Sequence, residues 1–159
     1  MIPSSSSALH RTTPDCYVLI TVLCCKSSLE YKRKGASMAI DYTMTVQDSI
    51  LFVHAWGFDE SLTEVEEYGK VLVQSCLARG VTRLLSDERD LEYRLGTFDT
   101  FEAAQFIAAY APHIARAAVV PNAKHVVDAQ FWETVAVNRG LSVRLFKDTD
   151  AARTWLLQS

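Results

Sequence analysis

The side chains with chemical capacity fall in three short groups: His54 and Trp56; Asp87, Glu88, Arg89 and Arg94; and Asn122 and Lys124. Each group follows an apolar run of strand character, Ile50-Leu51-Phe52-Val53, Val81 to Ser86, and Ala115 to Val120. In an open α/β sheet the segments after the strand C-termini gather along one edge, where ligands bind. These residues therefore form the candidate edge for a ligand or partner. A histidine near Asp87 and Glu88 has the groups for acid–base work, but consecutive residues at a strand end point to opposite sides and do not serve one site. Solvated loop charges are the simpler reading. His10, His54, His113 and His125 share no metal-ligand spacing. The glycines never cluster into a phosphate-cradling loop. No catalytic residue, metal or cofactor is expected.

These groups depend on a regular succession of elements. Tyr42, Met44 and Val46 alternate with polar residues, Gln47-Asp48-Ser49 is turn chemistry, and the apolar run from Ile50 completes a hairpin. Ser61-Leu62-Thr63-Glu64 is a capping box, and Leu62, Val65, Gly69, Leu72 and Cys76 keep the spacing of one helix face until Gly80 stops it. Val81 to Ser86 reads as a strand and Asp87 to Gly96 as a polar connection. A second helix starts near Thr97 or Asp99 and ends before Pro112. Ala115 to Val120 suits a strand covered on both faces. Lys124 to Arg139 is helical through Val127, Phe131 and Val135. Leu141, Val143 and Leu145 alternate as a last strand, and Asp148 caps a short final helix. The order ββαβαβαβα predicts an α/β fold: a mainly parallel five-stranded sheet, an antiparallel first strand at its edge, and helices on both faces.

Composition divides the chain unevenly. Of its 159 residues, 49% are hydrophobic and 22% charged, a globular balance. Residues 1–37 carry a net charge of +3, three of the four cysteines (Cys16, Cys24, Cys25) and the run Ser4 to Ser7, whereas residues 38–159 carry −6 and only Cys76. The apolar stretch from Cys16 to Cys25 is half the roughly 20 residues that a transmembrane helix needs. Lys34-Gly35-Ala36 can be encoded by a purine-rich ribosome-binding run just ahead of Met38. Residues 1–37 are thus expected to be a disordered or non-native extension and residues 38–159 a single domain. Its acidity argues against nucleic acid as a partner. Cys76 falls on the apolar face of its helix, a core thiol without a disulfide partner, as suits the cytoplasm.

The second helix is apolar over more of its circumference than one buried face requires. Phe101, Ala104, Ile107, Ala108 and Ala111 form one arc, while Phe98, Ala103, Phe106 and Tyr110 fall largely outside it. Either neighbouring elements bury the second set, or Phe98, Phe106 and Tyr110 form an apolar interface for self-association, a protein partner or a lipid-like ligand.

The segments Ile50 to Gly57, Arg83-Leu84-Leu85-Ser86-Asp87, Ala117-Ala118-Val119-Val120 and Gly140 to Phe146, followed by Ala151 to Leu157, resemble the STAS/SpoIIAA-like superfamily. The resemblance spans about residues 40–157 and rests on element order and apolar strands. It implies a non-enzymatic regulatory domain that binds a protein partner or a second copy of itself. In the best-known members a serine at a helix N-terminus is phosphorylated. No residue here matches that serine, and Thr97 and Thr100 are positional candidates only, with helix capping by Thr97 the simpler role. A branch related to the CRAL-TRIO lipid-binding fold implies the alternative, a small apolar or lipid-like ligand lodged beneath the second helix, with contact to a membrane surface.

Overall fold

The computed structural model describes residues 31–33 and 39–158. Its elements are β1 (Tyr31–Arg33), β2 (Ile40–Gln47), β3 (Ile50–Phe58), α1 (Leu62–Arg79), β4 (Arg83–Glu92), α2 (Thr97–Ala108), β5 (Arg116–Pro121), α3 (Val126–Val137), β6 (Val143–Leu145) and α4 (Thr149–Leu157). From β2 onward this is the expected order of strands and helices. The sheet order is β1-β2-β3-β4-β5-β6, antiparallel across the first two pairs and parallel across the rest. One expectation changes: β1 pairs outside β2, so β2 is not the edge, and β1 falls in the segment assigned to the extension. The Met38 start and the apolar stretch with Cys16, Cys24 and Cys25 lie outside the described residues.

The strand order never reverses. Successive parallel crossovers of one hand then carry every connecting helix to the same side. Accordingly α1, α2 and α3 pack on one face over Leu51, Val53, Ala55, Leu84, Ala117, Val119 and Val143. Only α4, which follows the last strand, covers the other, where Ala152 and Leu156 meet Ile50, Leu85, Ala118 and Val120. Helices do lie on both faces, three against one. A sheet without a reversal also has no topological switch point, so the reasoning that placed a ligand edge beyond the strand ends loses its support.

Local chemistry sets most element ends. Asp48 and Ser49 both take positive φ, 52° and 60°, making the two-residue turn whose twist matches a hairpin. Ser61 Oγ accepts from Glu64 N at 3.4 Å, half of the expected capping box. The other half is redirected: the Glu64 carboxylate accepts from Ile40 N at 2.9 Å and Glu60 N at 3.0 Å, tying the start of α1 to β2. Gly57, at φ 97°, has no room for a side chain, since a Cβ would sit 2.2 Å from the Ala39 carbonyl oxygen.

Three sequence expectations are corrected. Asp87 to Glu92 is strand, because the far half of β3 supplies a ladder for it and Leu91 is buried there. α3 begins at Val126 after a 3-10 turn, Ala123–His125, that Asn122 caps by accepting from Lys124 N at 3.0 Å. Its buried face is Ala129, Val135 and Ala136 with Trp132, whereas Val127 is 78% exposed and Phe131 37%. Val127 and Phe131 therefore mark the outer face. No helix among the described residues is long and apolar enough to cross a membrane.

Candidate functional site

Small residues dominate where the helices meet the sheet. α2 buries Ala103, Ala104 and Ala108, α3 buries Ala129 and Ala136, α1 contributes Gly69, and β5 contributes Ala117. Close-packed interiors need side-chain volume to fill the space between layers. Here the space is not filled, and a chamber of about 140 Å³ lies between the sheet and α1, α2 and α3. Leu72, Leu84, Ile107, Val119, Leu141 and Trp132 give it apolar walls, and α2 adds Thr100 and Ala103.

Polar groups also line it. β4 alternation turns Ser86 and Glu88 toward the helices. Ser86 Oγ donates to Glu88 Oε1 at 2.8 Å, the Tyr93 hydroxyl donates to Glu88 Oε2, and Tyr68 and Ser86 share a hydrogen bond at 3.2 Å. Burial pushes the Glu88 carboxyl above its ordinary value, an effect that the hydrogen bonds from Tyr93 and Ser86 only partly offset. Burial likewise holds both tyrosines well above theirs, so they remain hydroxyl donors. Asp59, 7% exposed, is also raised by burial although it accepts from the backbone N–H groups of Arg94 and Leu95. An apolar volume with a few fixed donors and acceptors is the usual form of a small-molecule site.

The candidates named from sequence separate. His54, Trp56, Asp87 and Arg89 do come together, on the face that α4 leaves partly open. His54 stacks on Trp56 at 5.3 Å and lies 3.8 Å from Asp87 and 3.4 Å from Asp90. A register shift between His54 and Trp56 allows this: Asp87 pairs with His54 and Asp90 with Trp56, so two acids three residues apart share a face. Arg89 binds both Asp87 carboxylate oxygens, at 2.8 and 2.7 Å. Burial alone would raise the Asp87 carboxyl, but the Arg89 hydrogen bonds and charge outweigh it and lower it. Arg94 is elsewhere, over the Phe58 ring at 3.7 Å and paired with Glu92 at 3.1 Å. Asn122 is occupied as a cap, and Lys124 belongs to the same turn.

The candidate apolar interface also divides. Phe106 and Tyr110 cover each other edge to face at 5.7 Å and are half-buried, while Phe98 is 69% exposed. Thr97 does not cap α2, whose N-cap is Gly96. The Thr100 hydroxyl is engaged, donating to the Gly96 carbonyl at 3.0 Å. Cys76 is fully buried, and burial pushes its thiol up to about 11.

Sequence reasoning noticed Glu88 as one of two adjacent acids and missed Asp59, Tyr68, Ser86, Tyr93 and Trp132. The available signal was the alanine-rich inner face of α2 opposite a strand carrying Ser86 and Glu88 at spacing two.

The sequence matches no family model and no curated protein. Among solved structures the chain is similar to an uncharacterised protein of the DUF3478 family with a SpoIIAA-like fold from Shewanella loihica PV-4. That likeness covers 78% of this chain and 98% of the other, at 20% identity and a TM-score of 0.46.

Proposed function

We propose that this protein is a small-molecule-binding domain whose ligand occupies the chamber beneath α2. The observation that carries the reading is the chamber itself: about 140 Å³ lined mainly by apolar side chains and partly open to solvent, with the Tyr68, Ser86, Glu88 and Tyr93 network on its wall. A dry apolar cavity of about 150 Å³ takes up benzene. The part of the ligand held inside is therefore ring-sized or a short branched chain. Benzene titrated into the purified protein should raise its Tm, and mild denaturing extraction should release a small molecule seen by native mass spectrometry. No Tm response at saturating benzene, together with no extractable molecule, would refute the reading.

Protein binding is the second reading, favoured by one observation. Phe98, Val127 and Phe131 leave large apolar side chains in solvent on α2 and α3, the helices that roof the chamber. In this form the protein is a non-enzymatic regulatory domain in the cytoplasm, and a partner or second copy docks on the roof. Light scattering at rising concentration should show association that Val127→Asp with Phe131→Asp abolishes. A monomer throughout removes the self-association version.

A further inference from the structure

The charges around the chamber are all of one sign. Asp59, Glu88 and Asp128 line it, and no lysine, arginine or histidine among the described residues does, although His125 lies near enough behind the wall to favour the ionised form of Asp59. Asp59 and Glu88 lie close enough that the charge of Asp59 opposes ionisation of Glu88. Glu88 takes its hydrogen bonds from uncharged hydroxyls, those of Ser86 and Tyr93. Asp59 takes its own from backbone N–H groups of Arg94 and Leu95. Asp128, at the start of α3, is half-exposed and lies 3.6 Å from His125, which itself packs on the Tyr93 ring at 5.5 Å. Three aromatic residues, Tyr68, Tyr93 and Trp132, complete the lining.

This combination discriminates among ligands by charge. A fatty acid or phosphate ester would bring an anion against two carboxyls with no base on the chamber wall to meet it, a juxtaposition that is unfavourable at low dielectric. A neutral hydrocarbon would fill the apolar volume and leave the carboxyls uncompensated. A cation reverses both penalties, and aromatic faces beside acids are the recurring environment for organic ammonium groups. A bare metal ion is disfavoured, since no group of three His, Cys, Asp or Glu side chains among the described residues is arranged to hold one.

We infer that the chamber selects an organic cation, an amine borne on a single ring or short apolar group, with the ammonium at Glu88 and Asp59 and the apolar part against Leu72, Ile107 and Trp132. This inference rests on the small-molecule reading above and names the class of ligand.

The test is an isosteric series titrated calorimetrically into the full chain at pH 7: benzylamine, benzyl alcohol and benzoate, with benzene as a charge-free reference. Benzylamine should bind at least about tenfold more tightly than benzyl alcohol, and benzoate should not bind. Glu88→Gln, checked for an unchanged fold by circular dichroism, should shrink the amine-to-alcohol ratio at least about threefold while leaving benzene binding intact. Asp59→Asn should act in the same direction, so a failure of one variant to fold leaves the other to decide. Benzyl alcohol binding as well as benzylamine, or an unchanged ratio in both variants, overturns the cation inference and leaves the chamber as a binding site. Failure of all four compounds overturns the cation inference and, together with no extractable molecule, the small-molecule reading as well.

Discussion

The two faces of the sheet solve the same problem with different amounts of material, and adjacent residues of β4 record the difference. On the α4 face a short helix inserts Ala152 and Leu156, both fully buried, and packs closely there while leaving the sheet around His54 and Asp87 partly uncovered. Its acid, Asp87, is mostly covered, but its pairing with Arg89 outweighs burial and holds it more acidic than usual. On the opposite face α2 and α3 present mostly alanines and α1 presents Gly69 beside Tyr68, Leu72, Val73 and Cys76, and a chamber remains between them and the sheet. Its acid, Glu88, faces an apolar chamber and is made less acidic by burial. More covering structure has thus sheltered a pocket lined mainly by apolar groups, whereas less has left a shallower, more polar groove. Helices that present small residues approach the sheet as rigid cylinders and leave gaps that only a ligand or larger side chains would close. The close packing around Leu156 contributes stability, whereas the chamber supplies a site.

The largest effect that would sharpen this contrast is truncation of one leucine on each face. Leu156→Ala opens a hole in close packing and should cost about 4 kcal/mol in urea denaturation. Leu72→Ala enlarges a space that already exists, and a side chain bordering a void has already forfeited contacts on that side, so about 2 kcal/mol is expected. Equal losses would mean that the two faces are equally well packed.

The next effect separates the neighbouring acids by pH. Glu88 has its folded value raised, so the native state holds its proton more tightly than the unfolded chain. Stability is then lost as pH rises from the ordinary carboxyl value through the raised one, and the loss is complete above it. Glu88→Gln should flatten that decline and gain about 1 kcal/mol at pH 8. Asp87 has its folded value lowered, so its contribution is present above the ordinary value and disappears as pH falls through the lowered one. Asp87→Asn should lose about 0.5 kcal/mol at pH 8, the scale of an ion pair whose arginine is exposed, and nothing once acid has protonated the native aspartate. Tm measured from pH 3 to 8 on both variants should show slopes changed in opposite senses. The same sign for both would contradict the assignment of the two acids to different environments.

How much of this was legible in the sequence follows from the range of the forces involved. The Asp48-Ser49 turn, the Ser61 and Asp148 caps and the Gly80 stop are decided within a few residues, and each appears where the local chemistry placed it. Cys76 was readable as buried because α1 has a single apolar stripe. α3 lacks that asymmetry, and its apolar residues lie all round, so periodicity favoured Val127 and Phe131 while packing on α2 and β6 selected Ala129, Trp132 and Val135. The extension of β4 through Asp87 to Glu92 was hidden because those residues are polar and their strand geometry comes from pairing with β3. The chamber was hidden for another reason. An unfilled volume has no residue of its own, and its trace in the sequence is a set of alanines indistinguishable from those of a tightly packed helix pair.

The smallest expected effect tests whether that volume is real. Gly69 lies in α1 where a Cβ would stand 1.8 Å from Cδ1 of Ile107 on α2 and 3.0 Å from its Cγ1. In a filled core such a contact would force the helices apart, at about 1 to 3 kcal/mol. Here Ile107 borders the chamber and can rotate its terminal methyl into it. The rotation costs about 0.5 to 1.5 kcal/mol if it leaves a preferred rotamer, and alanine in place of a mid-helix glycine returns about 1 kcal/mol of helix propensity. Gly69→Ala should therefore leave stability within about 0.5 kcal/mol of the parent protein. The displaced methyl would occupy the chamber, and benzene binding should weaken severalfold. Near-neutral stability with weakened binding is the signature of a side chain moving into empty space. A loss above about 2 kcal/mol would show instead that Ile107 has nowhere to go, and the contrast between the chamber and the close packing around Leu156 would fail at the residue where it is most exposed to test.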